Sequence, residues 1–136
     1  MARMNGPIPS SWSGTLRSLV RIVAAFSFMT HGTQKLFGFP SVEPRAGVEL
    51  LSMMGAAGLI ETIGGALLIL GLFTRPVAFL CAGQMAVAYF MVHAGQSFWP
   101  LLNGGEVTTV YCFLFLYLAA AGAGPLSLDA MVRGKR

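Results

Sequence analysis

The chain has 136 residues, 55% of them hydrophobic and only 10% charged, with a net charge of +4 and a mean hydropathy of +0.70. Soluble domains carry about 25% charged residues, so this is the composition of a membrane protein. It also argues against nucleic acid as a partner, because the nine Lys and Arg are scattered along the chain, with no basic face interleaved with aromatics.

Residues 1–13, with Pro7 and Pro9, read as a flexible amino-terminal tail. The segment IVAAFSFMTHGTQ (22–34) reaches the length of a span, about 20 residues, only if it starts near Leu16. Arg17 and Arg21 would then reach along the helix end to the lipid headgroups. A cleaved signal peptide is the competing reading, but HGTQK lacks the small-residue pattern of a cleavage site. LLSMMGAAGLIETIGGALLILGLFT (50–74), PVAFLCAGQMAVAYFMVHAG (76–95) and VTTVYCFLFLYLAAAGAG (107–124) qualify outright. SLDAMVRGKR then reads as an interfacial turn or short helix with Ser127 as its N-cap. The expected fold is all-α: a four-helix transmembrane bundle over residues 14–130, followed by a basic cytoplasmic tail, 131–136.

Lys and Arg near the span ends set orientation. Arg3, Arg17, Arg21, Arg75, Arg133, Lys135 and Arg136 fall on one side, and Lys35 and Arg45 on the other, which places both termini in the cytoplasm. The external loops are then about 35–49 and 96–106, and the internal turn is Thr74-Arg75-Pro76. Cys81 and Cys112 sit at different depths, so no disulfide is expected; both read as small polarizable core residues.

Gly58, Glu61, Gly64 and Gly65 recur at three- and four-residue spacing, so Glu61 lies on the glycine face and points into the bundle. In the third span Ala82, Ala86, Tyr89 and His93 form a stripe, and in the first Ser27, His31 and Lys35 form another. HGTQKLF and HAGQSFW echo each other at one membrane face, as a parallel repeat of two hairpins requires. Two apolar helix ends can also reach such likeness by chance.

His31, His93 and Glu106 sit at external span ends, and Glu61 lies about 12 to 16 Å deep. Gln34, Lys35, Gln96 and Trp99 surround the mouth. An ionisable group inside a span costs at least about 2.5 kcal/mol and marks a partner or a pathway. Buried alone, a carboxyl stays protonated; beside His31 or Lys35 it ionises. One reading is a structural polar clasp. Another is a quinone site formed by His31, Gln34, Lys35, Glu61, His93 and Glu106, with ring contacts from Phe37, Tyr89, Phe90 and Trp99. No HxxxH, ExxH or CxxC spacing supports a metal, and two histidines on separate helices are the only argument for haem. Arg75 reads as a cytoplasmic anchor. Walker, dinucleotide and GxSxG motifs are missing from the sequence.

HGTQKLFGF (31–39), ETIGGALLILGLFTR (61–75), GGE (104–106) and GAGPLSLD (122–129), in that order, resemble the DoxX family of small four-helix membrane proteins. The likeness falls on His31, Gly32, Gln34, Lys35, Phe37 and Gly38, on Glu61, Gly64, Gly65, Gly71, Thr74 and Arg75, on Glu106, and on Gly124, Ser127, Leu128 and Asp129. Pro125 departs from the family's more polar or basic residue. The resemblance implies a multi-pass protein of the bacterial inner membrane. It also implies a membrane subunit or accessory of a quinone-linked redox system, either thiosulfate:quinone oxidoreductase-like or part of an oxidative-stress complex. The partners expected are the lipid bilayer, another redox protein at the membrane, and a second copy of the chain. A non-catalytic scaffold that recruits an enzyme is the alternative, and a small-solute carrier is a third reading.

Overall fold

The computed structural model describes residues 6–41 and 49–134. Arg3, Arg45, Lys135 and Arg136, which enter the charge count, lie outside the described residues. A 3₁₀ turn, Ser10–Trp12, leads into α1 (Ser13–Phe37). Then come α2 (Met53–Leu70), α3 (Thr74–Ala88) continued by a π-helical turn (Tyr89–His93), α4 (Pro100–Asn103), α5 (Glu106–Ala121) and α6 (Leu128–Arg133). No strand occurs among the described residues. The last helix crosses residue 130, where the sequence reading put the edge of the basic tail.

Helix α1 packs along α2 and α3 along α5, while α2 against α3 joins the two pairs; α1 and α5 touch only sparsely. The first pair is close because its interface lacks side chains. A Cβ on Gly32 would stand 2.6 Å from the Thr62 backbone nitrogen, and one on Gly65 would stand 2.6 Å from Met29 Cβ. Gly55, Gly58, Glu61, Gly64, Gly65 and Leu68 are the buried face of α2, so the acid does point inward with the glycines. Phe28 meets Phe115 edge-on at 4.7 Å between centroids, and Tyr111 stacks on Phe115 at 5.5 Å. Leu68, Cys81, Met85 and Leu118 complete this core. Cys81 and Cys112 are both free thiols.

Large apolar side chains also cover the outside, among them Phe26, Ile63, Phe79 and Phe113. A lipid-facing surface has this character. Met53–Leu70, 18 residues, and Thr74–His93, 20 residues, are long and apolar enough to cross a membrane. Helix α5 is apolar but has 16 residues, and α1 carries Arg17, Arg21 and Lys35 along its length.

The basic end departs from the sequence reading in two places. Arg21 does not reach outward: it is 0% exposed. Its Nε donates to Leu68 O at 2.7 Å and its Nη2 to Leu126 O at 2.7 Å, and Nη1 donates to Ala123 O. Helix ends leave carbonyls without partners, and one guanidinium with five donors serves the end of α2 and the chain after α5 together. The turn also falls earlier than Thr74-Arg75-Pro76. Gly71, with φ 68, takes the left-handed C-cap position, and Leu72 N–H donates back to Leu67 O at 3.0 Å. Thr74, Arg75 and Pro76 form the first turn of α3, where a missing proline N–H costs nothing.

The carboxy-terminal segment closes over this turn. Ser127 Oγ accepts from Ala130 N–H at 3.1 Å and caps α6, as expected. Asp129 Oδ1 and Oδ2 accept from the N–H groups of Phe73 and Thr74, both at 2.9 Å, and so cap α3 from another helix. Burial works against the Asp129 charge, but the N–H groups of Thr74 and Phe73 and the nearby Arg133 outweigh it and hold the carboxyl below its usual range. Gly71 could not be replaced here, since its Cβ would collide with Ser127 Cβ.

Candidate functional site

Away from the basic end, three separate groups of polar residues stand out among the described residues. In the first, Lys35 Nζ on α1 donates to both Glu61 oxygens on α2 at 2.6 and 2.7 Å. Gln84 on α3 donates its Nε2–H to Glu61 Oε1 at 2.9 Å. Glu61 is 1% exposed and the Lys35 side chain 24%, so the carboxylate is sealed while the ammonium keeps some contact with the surroundings. Three helices are tied at one point. The sequence reading missed Gln84, although a signal existed: Glu61 and Gln84 each lie about ten residues from the α2–α3 turn, about 15 Å along their helices. An antiparallel hairpin brings such positions level.

The second group lies at the far end of α3. Ala94 N–H donates to Tyr89 O at 2.9 Å, an i to i+5 bond that widens the last turn. Tyr89 and His93 both reach Asn103, which is 2% exposed. The Asn103 amide nitrogen donates to Tyr89 Oη and to Ser97 O, both at 3.0 Å, and its Oδ1 accepts from Gly105 N–H at 2.8 Å. His93 Nδ1 lies 2.9 Å from Asn103 O; a carbonyl only accepts, so Nδ1 carries the proton in this contact. In this group the histidine and tyrosine hold the 94–105 loop. In the sequence, Asn103 stands before Gly104 and Gly105, a local pattern of turns that says nothing of its contacts with Tyr89 and His93.

The third group lines the gap between α1 and α5. Tyr111 Oη donates to Ser27 Oγ at 2.7 Å, and the His31 ring meets Tyr111 edge-on at 6.1 Å. Both rings, with Ser27 and Glu106, line a groove of about 820 Å³ whose remaining walls are aliphatic, including Leu19, Val23 and Val110. Ligand pockets typically span about 300 to 1,000 Å³ and combine apolar walls with a few polar groups. Glu106 stands in the first turn of α5, where the helix dipole favours a negative charge. Tyr111 was not singled out from the sequence, where it is one aromatic among many in α5.

The other expected site residues are dispersed. Gln34 donates to Pro40 O at 3.1 Å, while Phe37 and Trp99 are exposed. Phe90 packs edge-on against Tyr89 and is itself exposed. Gln96 donates back to Val92 O at 2.9 Å. Arg75 Nη1 donates to Ala120 O at 2.7 Å, at the end of α5. The stripe Ser27, His31, Lys35 divides, its first two members facing α5 and its last facing α2.

Helices without strands among the described residues, an apolar exterior and two helices long enough to cross a membrane are features of a small membrane-associated protein. The DoxX family model matches residues 16–94, more than half of the chain. The chain belongs to the DoxX family. An "Uncharacterized protein" of Haemophilus influenzae is 46% identical over 116 residues, covering 82% of this chain and 87% of that protein. A "Putative oxidoreductase CatD" of Bacillus subtilis is 31% identical over 126 residues, 90% of each chain. No solved structure matches.

Proposed function

We propose that the chain is a multi-pass protein of the bacterial inner membrane, its four long helices crossing the bilayer with both termini in the cytoplasm. In this reading it is a membrane subunit or accessory of a quinone-linked redox system. The observation that carries the reading is the α1–α5 groove, aliphatic along its length and polar at the His31 and Glu106 end. That asymmetry fits an amphiphile with a ring at one end and a hydrocarbon tail, which is the make-up of a quinone. The quinone would supply two-electron, two-proton chemistry. His31 can hold a proton against a ring carbonyl, and Glu106 can exchange one with the surroundings. The Tyr111 and Ser27 pair holds the groove wall. Glu61, its oxygens engaged by Lys35 and Gln84, braces α1, one of the two helices that form that wall, against α2 and α3. Two further supports are membership of the DoxX family and likeness to a relative named as an oxidoreductase.

Purification in mild detergent followed by solvent extraction tests the reading. Wild type should carry quinone, and His31→Ala and Glu106→Gln should lose it with helix content intact. A wild-type protein empty of quinone that still co-purifies with an enzyme would overturn it in favour of a non-catalytic anchor. The Lys35–Glu61–Gln84 brace, structural in character, is the observation on the side of that second reading.

A further inference from the structure

Arg17 is left over at the basic end. Its Nε is shielded from solvent and has no hydrogen-bond partner among the described residues. Two neighbouring arginines are engaged, Arg21 with backbone carbonyls and Arg75 with Ala120 O. A buried donor without an acceptor costs free energy, more so on a charged group, and a negative charge beside the guanidinium offsets part of that cost.

A cleft of about 410 Å³ supplies the space. Arg17 on α1 and Arg133 on α6 both line it, with Gly122, Gly124, Ser127 and Asp129 between them. The one acid in that wall, Asp129, accepts with each oxygen from the α2–α3 turn and also feels the charge of Arg133. Two guanidinium groups therefore face the cleft against one carboxylate. Planar guanidinium forks match phosphate oxygens two at a time.

We propose that this cleft binds a phosphate group, held by Arg17 on one side and Arg133 on the other. An anionic phospholipid headgroup and free inorganic phosphate present the same chemistry. The site is separate from the α1–α5 groove and stands or falls independently of it.

The test uses the full-length protein in nanodiscs in two arms. One arm is phosphatidylcholine alone with inorganic phosphate added, read by broadening of the phosphate ³¹P resonance. The other is phosphatidylcholine with phosphatidylglycerol and no phosphate, read by phosphatidylglycerol retention in native mass spectrometry. Binding should appear in at least one arm, and Arg17→Gln should weaken it about tenfold, the loss of one charge-assisted contact. Arg133→Gln, at an exposed position, should weaken it in the same direction and serves if Arg17→Gln folds poorly. Binding in the lipid arm alone assigns the site to a headgroup, in the phosphate arm alone to the free anion, and in both to phosphate irrespective of carrier. Absence of binding in both arms, or equal binding by wild type and folded variants, overturns the proposal.

Discussion

Replacing Lys35 by Met isolates the charge on Glu61. The carboxylate is 1% exposed, and its ammonium partner sits 2.6 Å away. Removing one member of a buried ion pair costs about 3 to 5 kcal/mol, because an unpaired charge is left behind. The Gln84 hydrogen bond remains but brings no positive charge. Glu61→Gln should cost less, about 1 to 2 kcal/mol, since the amide keeps an acceptor for Gln84 and the partly exposed Lys35 can turn outward. In the double variant Lys35→Met, Glu61→Gln no charge is stranded, so the cost should fall well below the sum of the singles, by about 2 kcal/mol. Reversible unfolding in mixed micelles, followed by circular dichroism for all four proteins, measures that coupling. Effects that add to within about 0.5 kcal/mol would show that the pair does not act as a unit and would refute the brace.

Arg21→Met should leave the Leu68, Ala123 and Leu126 carbonyls without their donor and cost about 3 kcal/mol or more, seen as a lowered unfolding midpoint in the same assay. Gly65→Leu should push α1 off α2 at Met29 and cost at least about 1 to 3 kcal/mol, with a disulfide-trapping pair across the α1–α2 contact reporting the separation. The Asp129 carboxyl is held below its usual range in the folded protein, so its share of stability is present above its unfolded value. That share drains away as pH falls through the folded value, below about 4. Asp129→Asn should flatten the pH dependence in that acid window while lowering stability at neutral pH by about 1 kcal/mol, the worth of a helix cap; unfolding midpoints taken across the acid range check both effects.

Much of the architecture was legible because it rests on local pattern. Glycine spacing placed Glu61 on the buried face of α2, Ser127 announced its own helix, and apolar runs marked the long helices. Site composition was less legible. Glu61 had two candidate partners in sequence, His31 and Lys35, and nothing local separates residues one helical turn apart. The packing of α1 turns Lys35 toward α2 and His31 toward α5. Gln84 escaped notice because its importance lies in what it touches across the bundle, and the role of Asn103 was hidden because it lies in the side chains its loop folds back upon. Arg21 was misjudged for a related reason: a cation near a helix end suits headgroups in isolation, but here the end of α2 presents carbonyls that headgroups do not reach.

The sequence by itself determined an all-helical chain of membrane composition, its family, and the inward direction of its acid, since these follow from hydropathy, helical periodicity and ordered motifs. The tertiary structure alone decided which polar groups meet. Helix rotation and axial offset are set by side-chain packing over the whole interface, and a turn of 100° per residue sends neighbouring positions to different partners. His31, Lys35 and His93, alike in sequence as polar groups at span ends, thus became members of three distinct contacts.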